Sequence, residues 1–300
     1  MKRETLGLLL GALGVAIFAA TLPLTRIAVA ELPPAFVTMG RAAIAGLIAL
    51  PVLAAGRKPI PRADLPALAL AALCLVFGFA GFMAFAMRSL PAAHGGVVLG
   101  AMPLATLAIA ALADRARPAA GFWLCAIAGA AVVVAYALRE GGTALRGADG
   151  LLALAILCSS LGYVVSGKLS RRLGGADVIS WIVVLSLPAT LPLAWETAPA
   201  DPAAVSAKAW VALAYLGAMS MYLGFFAWNA GLVMGGIART SQVQLLQTFF
   251  TLAIAALVNG ERIDAPTLLT AILVVALIAL GRRFRSGDAP ASEAAPAPAR

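Results

Sequence analysis

Charged side chains are scarce in this chain of 300 residues: they make up 12% of it, where a soluble domain carries about 25%. That scarcity excludes an ordinary soluble globular protein. Cysteine is nearly absent as well. The three present, Cys74, Cys125 and Cys158, all lie inside apolar runs, which gives neither a disulfide framework nor metal-ligand spacing. They read as small packing residues, and no metal or other cofactor is expected. There is one histidine, His94, and no Asp or Glu falls inside any long apolar run. The His, Cys or carboxylate constellation that an intramembrane enzyme would need at depth is therefore missing. The same absence removes the residue type that proton pumps and cation carriers place inside the membrane.

Hydrocarbon is what the chain has in abundance, with 62% of its residues apolar. A bilayer core needs ~20 apolar residues per helix, so ten spans would take ~200 residues and leave ~100 for loops, ends and tail. Ten long apolar stretches are present. They start near Leu6, Pro34, Leu65, Ala92 and Ala119 in the first half and near Gly150, Val178, Ala209, Gly236 and Ala265 in the second. Their ends fall near Thr25, Leu53, Met87, Leu112 and Ala137, then Ser170, Leu193, Leu232, Val258 and Gly281. The fold class expected is an all-α polytopic membrane protein. Its net charge of +9 would suit nucleic acid, but the basic residues sit singly or in twos and threes between apolar runs, as juxtamembrane anchors do. The expected partners are the lipid bilayer and a small-molecule substrate, with no nucleic acid, and a monomer is expected to suffice.

Alternate loops differ in charge. One side collects Lys2, Arg3, Arg57, Lys58, Arg62, Arg115, Arg117, Lys168, Arg171, Arg172, Arg239, Arg282, Arg283, Arg285 and Arg300, fifteen in all. The other holds six, namely Arg26, Arg88, Arg139, Arg146, Lys208 and Arg262, while Arg41 lies within a span. Cytoplasmic loops hold the excess of Lys and Arg, so both termini are expected in the cytoplasm of a bacterial-type inner membrane. Lys2 and Arg3 followed by an apolar run resemble a signal peptide. The run from Leu6 to Leu24 is nineteen residues, longer than the ~7–15 of a signal core, which favours a retained first helix. From Arg282 to Arg300 the sequence turns to Ala, Pro, Ser and charge, and residues 282–300 are expected to be a disordered cytoplasmic tail.

The string TLAIAAL occurs at Thr106 to Leu112 and again at Thr251 to Leu257, 145 residues later. Both copies end the fourth span of their half, both precede a short polar loop, and each half closes with one more apolar helix. Residues 1–145 therefore read as one five-helix repeat and 146–281 as a second. Five is odd, so the second inserts upside down relative to the first, as in secondary transporters whose site lies between two inverted bundles.

Three stretches, LPPAFVTMGRAAIAGL from Leu32, AMRSLPAAHGGVVLGAMPLATLAIAAL from Ala86 and NGERIDAPTLLTAILVVALIALG from Asn259, resemble the drug/metabolite transporter superfamily, specifically its two-repeat EamA-type members. The likeness covers about Leu6 to Gly281. Arg41 stands where that family usually has an Arg early in its second helix, and Glu261 where it usually has a Glu after the ninth. The resemblance implies a ten-helix exporter of small metabolites, often amino acids, most similar to bacterial exporters of the aromatic amino-acid type. It also implies a cavity enclosed by spans one, three, four, six, eight and nine.

Helical stripes at i, i+4, i+7 and i+11 point to the same spans. The ninth gives Thr240, Gln244, Gln247 and Thr251; a carboxamide left unpaired in lipid would cost roughly 2–7 kcal/mol, so this face looks into protein or water. The eighth gives Tyr215, Met219, Tyr222, Phe226 and Asn229, and the sixth Ser159, Tyr163, Ser166 and Ser170. The first offers Phe18, Thr21 and Thr25. The 145-residue offset adds Met102 as the mate of Gln247 and Phe77 as the mate of Tyr222. The candidate substrate-binding set is thus Phe18, Thr21, Phe77, Met102, Ser159, Tyr163, Tyr222, Phe226, Gln244 and Gln247. For each, the alternative is plain helix packing or a helix–helix hydrogen bond. His94, Trp228 and Arg41 are candidate gate or coupling residues; the competing readings are a cap for His94 and a snorkelling side chain for Arg41. Trp123, Trp181, Trp195 and Trp210 lie near span ends and read as an interfacial belt.

A neutral, aromatic cavity with amides and hydroxyls suits uncharged or zwitterionic metabolites with an apolar side chain. The function expected is export of such compounds, amino acids included, by alternating access. A lipid or lipid-phosphate flippase is the alternative, for which a basic cavity would be needed, and an intramembrane enzyme comes after it.

Overall fold

The computed structural model describes residues 3–59, 61–115, 119–141, 147–235 and 243–285, and all the regular structure among them is helical. Among the described residues ten helical units follow one another. They are α1 (Arg3–Ala19 continued by Thr21–Glu31), α2 (Pro34–Ala55), α3 (Leu65–Ala72, Leu73–Phe79 and Ala80–Ala86), α4 (Ala92–Leu99 and Met102–Ala113) and α5 (Ala120–Gly141). The second set is α6 (Gly147–Leu173), α7 (Gly175–Glu196), α8 (Ala207–Tyr215, Leu216–Leu223 and Gly224–Gly235), α9 (Gln244–Leu246 and Gln247–Asn259) and α10 (Ala265–Arg285). Nine of the described units are long and apolar enough to cross a membrane, and Gln244–Asn259 is a shorter apolar helix. Thr240, the start of the ninth span near Gly236, the boundary between residues 145 and 146, and the tail beyond Arg285 lie outside the described residues.

Local signals set the ends. Ser206 caps α8 by accepting from the Ala209 N–H, and Asp264 caps α10 by accepting from the Thr267 N–H at 3.0 Å. Gly260, at φ 68°, turns the chain out of α9 in the left-handed conformation that glycine adopts without strain.

Five units are irregular along their length, and four of the irregularities answer one another in two pairs across the halves. In α3 and α8 the segments Leu73–Phe79 and Leu216–Leu223 are wound as π-helix. In α4 and α9 a new helical segment begins at Met102 and at Gln247, positions 145 residues apart. The first unit breaks at Ala20 ahead of Pro23. Proline has no N–H, so the Ala19 carbonyl four residues earlier loses its helical partner. The Thr251 hydroxyl of α9 donates to it at 3.0 Å, which ties the break in one half to a helix of the other.

The helices pair across the halves: α1 lies along α8 and α6 along α3, while α2 packs on α7, α4 on α9 and α5 on α10. Exchanging the halves, each helix for the one five later, maps this set of pairs onto itself, as a two-fold relation requires. The α1–α8 contact is very close because glycine faces glycine; a methyl group on Gly231 would come within 2.5 Å of the Gly11 nitrogen.

Polar contacts between the halves mark two ends. At one, Lys58 pairs with Asp177 at 2.8 Å, Lys168 with Asp114 at 2.6 Å, and Arg172 with Asp64. At the other, His94 Nε2 meets Asp149 at 2.6 Å, Arg139 meets Asp264 at 3.1 Å, and Glu31 accepts from Ser206. Here Glu261 also accepts from the Ala92 and Ala93 N–H groups at 2.8 and 2.7 Å. The first end carries the basic loops of Arg57 to Arg62 and Lys168 to Arg172.

Two sequence expectations change here. The sixth helix begins at Gly147 rather than Gly150, which brings Asp149 into it, buried at 6% exposure. Of the tryptophans assigned to the belt, Trp195 is 85% exposed, but Trp181 is 8% exposed and packs among Leu68, Ile182 and Tyr222.

Candidate functional site

A cavity of about 460 Å³ runs from the middle of the bundle to the end that carries the basic loops. Its lining reaches Ser170, Gly175, Asn229 and Arg282 at that end. Toward the opposite end it stops at Leu22, Arg41, Met83 and Gly96, beyond which Val29, Leu32, Met87, Leu90, Val97 and Leu252 form one buried cluster. The cavity is therefore closed by apolar packing at one end.

The lining is built from equivalent positions of the two halves. Phe18 and Tyr163, Thr21 and Ser166, Val76 and Met221, Ala80 and Phe225, Met83 and Trp228, Leu99 and Gln244, Met102 and Gln247, and Thr106 and Thr251 all line it, each pair 145 residues apart. The shape is thus shared between halves, but the chemistry is not. Where the first half presents Ala80, Met83, Leu99 and Met102, the second presents a phenyl ring, an indole and two carboxamides. No Asp or Glu lines the cavity among the described residues.

Hydroxyls knit the walls. Thr21 Oγ1 and Ser220 Oγ lie 2.7 Å apart, Thr25 donates to the Thr21 carbonyl at 2.7 Å, and Thr106 donates to the Met102 carbonyl at 2.8 Å. Arg41, 4% exposed, donates from Nη2 to Ser220 Oγ at 3.3 Å.

Of the residues proposed from sequence, Phe18, Thr21, Met102, Tyr163, Gln244 and Gln247 share this cavity, together with Trp228 and Arg41. Tyr222, Phe226 and Phe77 are not among its lining residues. Tyr222 is fully buried, its hydroxyl 2.8 Å from that of Ser180 in α7 and its ring 5.0 Å from Phe226 in an edge-on contact. A stripe at helical spacing fixes the period but not which of two adjacent faces the neighbouring helices turn toward the cavity. Residues 221, 225 and 228 face the cavity in place of 222, 226 and 229, although Asn229 still reaches its open end. The same shift in α3 presents Val76, Ala80 and Met83 and turns Phe77 onto the neighbouring core. Ser159 is fully buried behind the wall, 2.9 Å from Met102 Sδ. His94 lies away from the lining, buried against Asp149 and stacked on Tyr136 at 5.2 Å.

The EamA-like transporter family matches this chain twice, over residues 5–138 and 147–281. The chain belongs to that family. It is a multi-pass membrane transporter, and its two matched stretches carry the two sets of cavity residues. It is similar to a Bacillus subtilis (strain 168) protein named "Uncharacterized transporter YdeK", 40% identical over 285 residues that make up 95% of this chain and 99% of that one. A crystal structure at 18% identity aligns with a TM-score of 0.62, covering 94% of this chain and 100% of the other, and shares its fold.

Sequence reasoning also missed part of the wall. Val178, Ile179 and Ile182 of α7 and Val275 and Ile278 of α10 line the cavity, so these helices do not only pack outside it. Aliphatic residues in an apolar helix give no signal that separates a cavity face from a lipid face.

Proposed function

We propose that this transporter exports small neutral or zwitterionic metabolites, foremost amino acids with aromatic or apolar side chains, by alternating access through the central cavity. The observation that carries the reading is the one-sided chemistry of the cavity. Tyr163, Phe225 and Trp228 offer rings, Gln244 and Gln247 offer amides, and no carboxylate is present to select a cation. A volume of about 460 Å³ lies within the ~300–1,000 Å³ usual for small-molecule sites. Excess Lys and Arg favours the cytoplasmic side, so the cavity's open end would face the cytoplasm and load cargo from within, and both termini would lie there. The five-helix units 1–145 and 146–281 would then tilt against each other to close that end and open the other.

The test is counterflow of labelled amino acids in proteoliposomes, with and without a pH gradient. Apolar and aromatic amino acids should exchange and cationic drugs should not. Gln247→Ala should lower exchange at least tenfold at equal amounts of folded protein, whereas Tyr222→Phe, which breaks only the clasp to Ser180, should leave exchange within about twofold. No exchange of any amino acid would overturn the reading.

A further inference from the structure

We propose that Arg41 is the docking group for a carboxylate on the cargo, and that the cavity accepts apolar monocarboxylates whether or not they carry an amino group. This rests on the cavity being the cargo site. Arg41 is 4% exposed and lines the cavity's closed end. Its one hydrogen bond among the described residues is the 3.3 Å contact from Nη2 to Ser220, a hydroxyl already shared with Thr21. Nε and Nη1 are buried with no partner. A guanidinium stays charged at any physiological pH, and a charge withdrawn from water without a counter-charge is strongly unfavourable.

No carboxylate lines the cavity among the described residues to offset that cost. The pseudo-symmetric mate does not either: 145 residues on from Arg41 stands Ser186, which is buried and donates to the Ile182 carbonyl. The positive charge at the closed end thus has no counterpart on the other half, and the other cation of the lining, Arg282, lies at the open end. Its unused N–H groups suit a planar two-oxygen acceptor, which a guanidinium grips with two parallel hydrogen bonds. A cargo ammonium meets no matching acid in the lining. The carboxylate is therefore indispensable for recognition and the amino group is not, while the rings of Phe18, Tyr163 and Phe225 take the apolar remainder.

The experiment measures equilibrium binding to the purified full-length protein in nanodiscs with three probes: L-phenylalanine, 3-phenylpropionate, which lacks the amino group, and L-phenylalaninamide, which lacks the carboxylate. The two acids should bind within about tenfold of each other and the amide at least tenfold more weakly. Arg41→Gln should abolish the preference for acid over amide, and Arg41→Lys, which keeps the charge but not the fork, should retain part of it. Ligand-free Arg41→Gln should melt no lower than wild type, since it removes an unpartnered buried charge. The wild-type comparison of acid with amide decides the matter even where a variant does not fold. Equal binding of acid and amide, an unchanged preference in Arg41→Gln, or binding of none of the three overturns the proposal. Arg41-dependent binding of 3-phenylpropionate without phenylalanine would sustain this site and sink the amino-acid reading. Phenylalanine binding equally well to wild type and Arg41→Gln would do the reverse.

Discussion

At the end of the bundle where the cavity is closed, His94 and Asp149 join the two halves with side chains 4% and 5% exposed. At the end where it is open, the joining pairs are Lys58 with Asp177, Lys168 with Asp114 and Arg172 with Asp64, whose basic partners are 46%, 48% and 66% exposed. Exposed pairs contribute about 0–1 kcal/mol each, because water and salt screen them. Breaking a buried pair by deleting one partner costs about 3–5 kcal/mol, because the other is left unpaired out of water. The closed end also carries the apolar cluster around Leu32, Met87 and Leu90, each essentially unexposed. The halves are therefore held firmly at one end and loosely at the other, so the arrangement seen is the one in which the loosely held end is open.

The largest effect should come from the buried pair. Asp149→Ala is expected to lower stability by about 3 kcal/mol in thermal unfolding and to expose cysteines introduced beside Leu90 to a water-soluble thiol reagent. The double variant with His94→Ala should recover part of that loss; strictly additive losses would mean that the two residues do not act as a pair. Glu261→Ala, which frees the Ala92 and Ala93 N–H groups at the start of α4, should cost about 1–2 kcal/mol in the same measurement.

Next comes the Asp264 cap at the rim of the closed end. Hydrogen bonds from the Thr267 hydroxyl, from its N–H and from Arg139 hold its carboxyl at about 2, below the ordinary 3.8. A depressed carboxyl stabilises the fold above its ordinary value and loses that contribution as pH falls toward 2. Asp264→Ala should thus cost about 1 kcal/mol at neutral pH, and the gap to wild type should narrow below pH 4. A gap that widens on acidification would reverse the sign of this account. The smallest effect belongs to the open end, where Lys58→Ala should change stability by less than about 0.5 kcal/mol and less still in high salt. A loss as large as that of Asp149→Ala would erase the contrast between the ends.

Much of this was legible before any helix was placed. The apolar runs located all ten units, because a bilayer-spanning helix must be long and uncharged. The TLAIAAL repeat set the 145-residue offset that later paired Met102 with Gln247 in the cavity wall. Gln244 and Gln247 could be picked from their stripe because amides in an apolar helix need partners. Tyr222 gave the same kind of signal, yet its partner is Ser180, since a hydrogen-bonding need does not say whether cavity or neighbouring helix meets it. Asp149 was set outside its span by a boundary three residues late.

The sequence by itself determined the apolar helical units, the internal repeat and the uneven division of Lys and Arg among the loops, because these follow from composition and order along the chain. Only the tertiary structure decided which faces meet the cavity and which end is closed. In α8 the packing of neighbouring helices turns Met221, Phe225 and Trp228 inward rather than Tyr222 and Phe226, with no mark in the residue pattern. The absence, among the described residues, of a carboxylate in the cavity lining to offset Arg41 is likewise a property of which helices surround it, and no local sequence encodes that.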